Sequence, residues 1–316
     1  MARKLTRREM IRSSGAAAGV AASALAAPLT VSADAGGASA FRYCLNTSTI
    51  GWQLSLAQKI DIAARAGYQG IEPWIREIDQ HEEEGGTLKD LSTRLGDVGL
   101  SVESAIGFAE WIVNDDQRRA VGLEQARRDM DKIARIGGKR IAAPPAGAHQ
   151  EGQVELMDAA RRYRALLEVG LEAGIVPQLE LWGFSKVLRH LGEVAMVAVE
   201  ADHSQACLLL DVYHVYKGGS GFGGLKMLNG RAIHVLHMND YPADPPRDRI
   251  GDGDRVYPGE GVAPLQTIFT DLRAIGFGGT LSLELFNRQY WQQNPLEVAR
   301  RGLESMRQVV EGAGEG

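Results

Sequence analysis

The chain has 316 residues, 44% hydrophobic and 24% charged, the composition of a soluble globular protein that can bury a large core without covalent staples. Thirty-five basic against 40 acidic residues give a net charge of −5; the first 35 residues hold five basic and two acidic, so the remainder stands at −8. A balance this acidic lacks the electrostatic footprint of a nucleic-acid binder, and nucleic acid is excluded as the expected partner.

The first segment reads as an address. Thr6-Arg7-Arg8-Glu9-Met10-Ile11-Arg12 resembles the twin-arginine export motif, a weakly apolar run follows at 15–27, and Ala24-Leu25-Ala26 and Ala33-Asp34-Ala35 are A-x-A-like cleavage sites. That run is too short and too rich in Ala and Gly to cross about 30 Å of hydrocarbon. Residues 1–35 are therefore expected to be a signal peptide, placing a mature protein in the periplasm or outside the cell with no stable membrane span after processing. Roughly 270–280 residues then remain, which suits one α/β barrel of about 250 residues or two smaller domains.

From residue 41 short apolar runs alternate with amphipathic segments. Strands are predicted near 41–46, 69–73, 100–105, 139–143, 175–180, 206–211, 231–237 and 279–284, each rich in Ile, Val, Leu, Cys or Ala and ending at a polar residue or turn signal. Helices are predicted at 54–66, 88–98, 117–136, 154–173, 265–275 and 295–310. Gly67, Gly99, Gly137 and Gly174 stand as C-terminal stops, and shorter helices are placed at 185–199 and 223–229. Eight such alternations predict a parallel sheet, closed as a single (β/α)8 barrel over 41–312. The alternative, a doubly wound open sheet binding a nucleotide, wants a glycine-rich turn after the first strand; Cys44-Leu45-Asn46-Thr47-Ser48-Thr49 has none. Cys44 and Cys207, both in predicted strands far apart in sequence, read as buried thiols. The long irregular stretch 239–262 is expected to be a functional loop after the seventh strand.

Strands covered on both faces should be almost unbroken apolar runs, so a charge at a strand's C-terminal end is costly unless it faces the mouth of the barrel and is paired or metal-bound. Four late strands end this way: on Glu180, Asp211, His237 and Glu284. Ser282 and Glu284 share one face of the last strand, while Leu281, Leu283 and Leu285 share the other. Three carboxylates and an imidazole suit Mn²⁺, Co²⁺, Mg²⁺ or Zn²⁺, with manganese placed first, and without a cation the carboxylates would repel.

These residues, with Asp211-Val212-Tyr213-His214, His237-Met238-Asn239-Asp240, Gly67-Tyr68-Gln69-Gly70-Ile71-Glu72 and Pro258-Gly259-Glu260-Gly261, resemble the xylose-isomerase-like TIM-barrel superfamily over about 41–312. The resemblance implies one divalent cation held by Glu180, Asp211, His237 and Glu284, with Glu180 and Glu284 also the acid and base on opposite faces of the substrate. It implies a substrate or ligand contact for His214, a supporting or substrate contact for Glu72, and a cation for substrate oxygens at Arg255, with Arg247 and Arg249 as rivals. His149 is a further candidate for substrate contact. Trp74, Trp111, Trp182 and Trp291 follow predicted strands and suit the apolar face of a small carbohydrate, Trp182 foremost.

The expected chemistry is proton transfer next to a carbonyl through a metal-stabilised enediolate. Return of the proton gives a sugar isomerase or epimerase, whereas loss of a β-substituent gives a lyase or dehydratase acting on an oxidised sugar, glycoside or cyclitol. A non-catalytic sugar-binding barrel is a further alternative, but it has no need of both Glu180 and Glu284. A nuclease of the three-zinc type is disfavoured, because Ala105-Ile106-Gly107-Phe108 and Ala143-Pro144-Pro145 supply no histidine at the third and fourth strand ends. The sequence leaves a homo-oligomer open.

Overall fold

The computed structural model describes residues 41–151 and 153–313; the export segment read from residues 1–35 lies outside them. Eight strands appear in the expected order: β1 (Arg42–Asn46), β2 (Gly70–Glu72), β3 (Ser101–Val102), β4 (Arg140–Ala143), β5 (Val176–Glu180), β6 (Leu208–Asp211), β7 (Ile233–Met238) and β8 (Thr280–Leu283). All pair in parallel, in the order β3-β2-β1-β8-β7-β6-β5-β4. The two ends of that order meet where the Ala142 N–H donates to the Ala105 carbonyl at 2.8 Å and Gln178 Nε2 donates to Ser104 Oγ at 3.0 Å. The strands thus close round as a (β/α)8 barrel.

Nine helices are found among the described residues: α1 (Leu56–Ala66), α2 (Ile75–Glu83), α3 (Leu88–Val98), α4 (Asp116–Arg135), α5 (Leu156–Ala173), α6 (Leu191–Glu200), α7 (Val212–Gly218), α8 (Leu265–Ala274) and α9 (Pro295–Gly312). Gly67, Gly99 and Gly174 end α1, α3 and α5 in the left-handed conformation, as their positions predicted. Two helices were not foreseen. In α2 only Ile75 and Ile78 are apolar and buried, and the acidic remainder hides the helical period. α7 is a two-turn helix springing directly from β6, started by Asp211, whose carboxylate accepts from the His214 N–H at 2.8 Å. The helix predicted from 185 begins only at Leu191, because Leu188 has φ 57° and the preceding residues form turns.

The core has two parts. The larger lies between strands and helices, where Leu208, Leu210, Leu236, Leu281 and Leu283 face outward. Each such buried side chain contributes about 1.5–3 kcal/mol relative to an exposed one. The smaller fills the barrel interior with Trp74, Ile106, Ala142, Leu209 and Val235, against which Trp52 and Phe286 pack. This inner plug is the floor on which the strand-end side chains stand. Cys44 and Cys207 are free and buried, as expected. No helix of the described residues is long and apolar enough to cross a membrane.

Candidate metal centre and substrate cavity

Register brings the strand ends together. Asp211 lies beside His237, and His237 beside Ser282, so Glu284 emerges two residues further along the next strand. Donor atoms of Asp211, His237 and Glu284 fall within 4.8 Å of one another, all three buried. Glu180, at the end of β5, is not in that cluster. It lines the same cavity as Glu284, is 3% exposed, and its Oε2 has no hydrogen-bond partner.

Behind the cluster is a layer of supporting contacts. Glu72 Oε2 accepts from Ser282 Oγ at 2.7 Å, from Asn46 Nδ2 at 2.9 Å and from His237 Nε2 at 3.1 Å. Burial would push the Glu72 carboxyl up, but the charge and hydrogen bonds of His237 outweigh it and hold it below the usual carboxylate range. An ionised Glu72 can only accept, so Nε2 of His237 carries a proton. Its Nδ1 then faces Glu284 Oε2 at 3.2 Å and Asp211 Oδ2 at 3.7 Å, buried and without a hydrogen-bond partner. Two carboxylates converging on one ring nitrogen demand positive charge there, which a proton on the ring, the neighbouring Arg255 guanidinium or a bound cation can supply. Burial lowers the proton affinity of His237, yet Glu284 and Glu72 raise it well above the ordinary histidine value, which expresses the same demand for positive charge. The orphaned Nδ1, the oxygen-rich donor set and the carboxylate behind the imidazole all fit a divalent metal.

Arg255 is the resident cation. Its Nη1 donates to Glu284 Oε2 at 2.8 Å and Asp211 Oδ2 at 3.0 Å, and its Nη2 to Asp252 Oδ1 at 2.5 Å and His214 Nε2 at 3.1 Å. Its rivals Arg247 and Arg249 are exposed in the same loop. Burial, opposed by the Asp211 charge, lowers the His214 pKa to about 4, so the ring is neutral at pH 7. Because Nε2 accepts from Arg255, the proton sits on Nδ1, a donor with no protein partner on a side chain that lines the cavity.

The loop that carries Arg255 is anchored at its base. Asp240 and Val256 exchange backbone hydrogen bonds at 3.1 and 3.0 Å. The Asp240 carboxylate accepts four more, from the N–H groups of Tyr241, Gly259, Gly261 and Ala263, at 2.8 to 3.1 Å. At Gly261 a Cβ would lie 2.3 Å from both Asp240 Oδ1 and the Tyr241 carbonyl, so the Pro-Gly-Glu-Gly turn requires glycine there.

The cavity over the cluster holds about 370 Å³ and is walled by Trp74, Trp182, Trp291, Phe108, Phe184 and Phe286. Three of the four tryptophans expected at the mouth are there. Trp111 is not: it is 1% exposed, donates Nε1 to the Pro144 carbonyl at 2.8 Å and packs on Tyr163 in the outer core. Glu72 stands behind His237 and does not line the cavity. His149 is half-buried, edge-on to Trp182 at 5.7 Å between ring centres. The sequence reading passed over Asn46, which donates to Glu72 and to Glu284 Oε1 (3.2 Å) while accepting from Trp74 Nε1 (2.9 Å). It also passed over Asn239, which donates to Asp211 Oδ2 (3.0 Å). Both end or follow strands, the same signal that marks the candidate ligands.

Comparison with known proteins agrees with this fold. A family model described as a xylose isomerase-like TIM barrel matches residues 60–309. The inosose isomerase of Bacillus velezensis is 24% identical over 274 residues, covering 85% of this chain and 97% of its own. The 3-dehydroshikimate dehydratase of Pseudomonas aeruginosa is 24% identical over 243 residues, covering 76% of this chain and 37% of its own, so it is matched over only part of its length. A solved structure of the IOLI protein with a binding zinc atom has a TM-score of 0.80 at 21% identity, covering 86% of this chain and 98% of that one.

Proposed function

Because the chain belongs to the xylose isomerase-like TIM barrel family, we propose that it is a divalent-metal-dependent isomerase or epimerase of a keto sugar, with Glu180, Asp211, His237 and Glu284 around the cation. The observation that carries this reading is His237 Nδ1, buried without a hydrogen-bond partner and facing Asp211 and Glu284 while its Nε2 is held by Glu72. When bound, a divalent cation supplies a Lewis acid that polarises a carbonyl and acidifies the neighbouring C–H. Manganese heads the fitting ions, ahead of cobalt, magnesium and zinc; the zinc in the IOLI structure supports a divalent ion in this setting.

The two glutamates stand in different electrostatic settings. Burial, with Glu284 and Asp211 adding to it and His237 opposing, raises the Glu180 pKa to about 8. Burial also pushes Glu284 up, but His237 and Arg255 outweigh it and hold it below the usual carboxylate range. Both shifts belong to the metal-free protein, and a bound cation would lower the two carboxyls; Glu180 and Glu284 are the pair that would take and return the substrate proton. His214 offers its free Nδ1–H to a substrate oxygen, Arg255 fixes the orientation of Asp211 and Glu284, and the indole walls cover the apolar face of a sugar while excluding water. Residues 1–35, read as a twin-arginine signal, put this reaction in the periplasm or outside the cell.

The test is elemental analysis of mature protein purified without a metal-affinity tag, followed by a screen of keto sugars for C–H exchange in D₂O. About one equivalent of metal is expected, and exchange that falls by about 10²–10⁴ in Glu180→Gln or Glu284→Gln. A folded protein that holds no metal and gains no exchange on adding any, or exchange untouched in both variants, overturns the reading. The 3-dehydroshikimate dehydratase relative favours a second outcome of the same first step, in which a β-hydroxyl leaves after proton removal. The same screen detects it as loss of water from the substrate.

A further inference from the structure

The cavity extends beyond what the carboxylate cluster and one sugar ring require. From Trp74 an unbroken series of rings runs along one side of the mouth, with centroids 5.3 Å apart for Trp74 and Phe108, 5.9 Å for Phe108 and Trp182, and 5.1 Å for Trp182 and Phe184. Trp74 comes from the segment after β2, Phe108 from that after β3, and Trp182 and Phe184 from that after β5. Three separate connections therefore deliver rings to one edge. Core packing does not account for the outer two, because Phe108 is 39% and Phe184 44% exposed, and a large bare aromatic surface on the rim of a cavity marks a binding face.

The chemistry of this edge is one-sided. Phe108 and Phe184 carry no hydrogen-bonding side-chain group, and the cationic Arg255 is already committed to Asp211, Glu284 and Asp252. A phosphate placed here would meet phenyl rings and one exposed arginine of the lining, Arg288, not a cationic cradle. A second sugar could lay a face on these rings, but apart from the Trp182 indole N–H and the His149 ring beside Trp182 and Phe184 its hydroxyls would turn toward surfaces that cannot partner them, which is costly. The rings are also inclined, at 48° between Phe108 and Trp182 and 31° between Trp182 and Phe184, so together they form a shallow cleft that a flat group fills by touching more than one ring.

We propose that Phe108, Trp182 and Phe184 form a subsite for a planar apolar aglycone, and hence that the substrate is a glycoside of an oxidised sugar whose sugar ring lies at the carboxylate cluster. The inference rests on the keto-sugar reading above and deepens it by naming what the sugar carries.

The experiment compares methyl and phenyl keto-glucosides, with a keto-disaccharide of matching linkage, on the metal-loaded mature protein and on Phe108→Ala/Phe184→Ala. Exchange in D₂O gives kcat/KM, and calorimetric titration of the same compounds gives Kd. The wild type should favour phenyl over methyl at least tenfold, mainly through KM and Kd, and this ratio should fall toward one in the double variant. Because both side chains stand outside the buried core, the variant should fold, which circular dichroism checks. Equal handling of phenyl and methyl, or a preference that survives in the double variant, overturns the subsite while leaving the keto-sugar reading intact. A disaccharide that matches the phenyl compound assigns the edge to a second sugar and overturns the aglycone. If no keto sugar exchanges at all, the keto-sugar reading fails, and the Kd ratio alone then upholds or overturns the apolar subsite.

Discussion

Glu72→Gln separates the electrostatic role of this residue from its shape. All three donors to Glu72 converge on one oxygen, Oε2, while Oε1 is buried without a partner. A glutamine in the same rotamer keeps an oxygen where Asn46, Ser282 and His237 need it and turns its NH₂ to the bare side. Packing therefore survives, and what is lost is a negative charge against the His237 ring. That charge strengthens the Nδ1 lone pair facing Asp211 and Glu284, and removal of such a partner costs about 10–100-fold in metal affinity, or about 1.4–2.7 kcal/mol. Competition of Mn²⁺ between the protein and a chelator at constant pH measures this directly, with circular dichroism to verify the fold. A Kd within twofold of wild type in a folded Glu72→Gln protein would refute the reasoning, since it would mean the carboxylate acts on His237 only as a spacer.

Asp240→Ala removes the acceptor of four backbone N–H groups and should cost about 3 kcal/mol in denaturant unfolding, with faster amide exchange at Gly259, Gly261 and Ala263; unchanged exchange there would contradict the anchor. In chelator-treated protein, Glu180 keeps its proton to about pH 8 when folded but releases it near 4.5 when unfolded, so its contribution to stability is present below about pH 4.5 and declines as pH rises to 8. Thermal melts from pH 5 to 8.5 should show that decline and a shallower one in Glu180→Gln; identical slopes would sink the assignment. Gly302→Val should destabilise by about 1–3 kcal/mol, because a Cβ there would stand 2.2 Å from Leu283 Cδ2 where α9 crosses β8; a melting temperature equal to wild type would show that the crossing is looser than it looks.

The barrel was legible because each strand is an apolar run stopped by a polar residue, and the ligand types stood at those stops in Glu180, Asp211, His237 and Glu284. Which donors converge was not legible. Parity places a side chain inside the barrel, but only distance across the mouth puts Asp211, His237 and Glu284 together and leaves Glu180 outside their cluster. Arg255 could not be chosen over Arg247 and Arg249 from sequence, since the loop's own turns decide which arginine returns to the strand ends. Trp111 was misread because its place after β3 resembles that of the mouth tryptophans, yet the chain there turns outward and the indole is spent on Pro144 and Tyr163. β3 is regular over only two residues, although the Glu103 N–H and the Ala105 carbonyl still bond to the neighbouring strands across the stretch that suggested a longer one.

The Asp240 anchor also bears on how such an enzyme diversifies. The loop is tied off at its neck, by the Asp240–Val256 pair and the four amides gathered on one carboxylate, and Arg255 sits immediately beside that knot. Substitutions on the exposed stretch 246–249 can change the outer surface of the loop without moving the arginine that Asp211 and Glu284 hold. Heritable change on that outer surface is uncoupled from the strand-end cluster, so lineages sharing one barrel mouth are free to vary the face they show the surroundings at little risk to what the mouth holds.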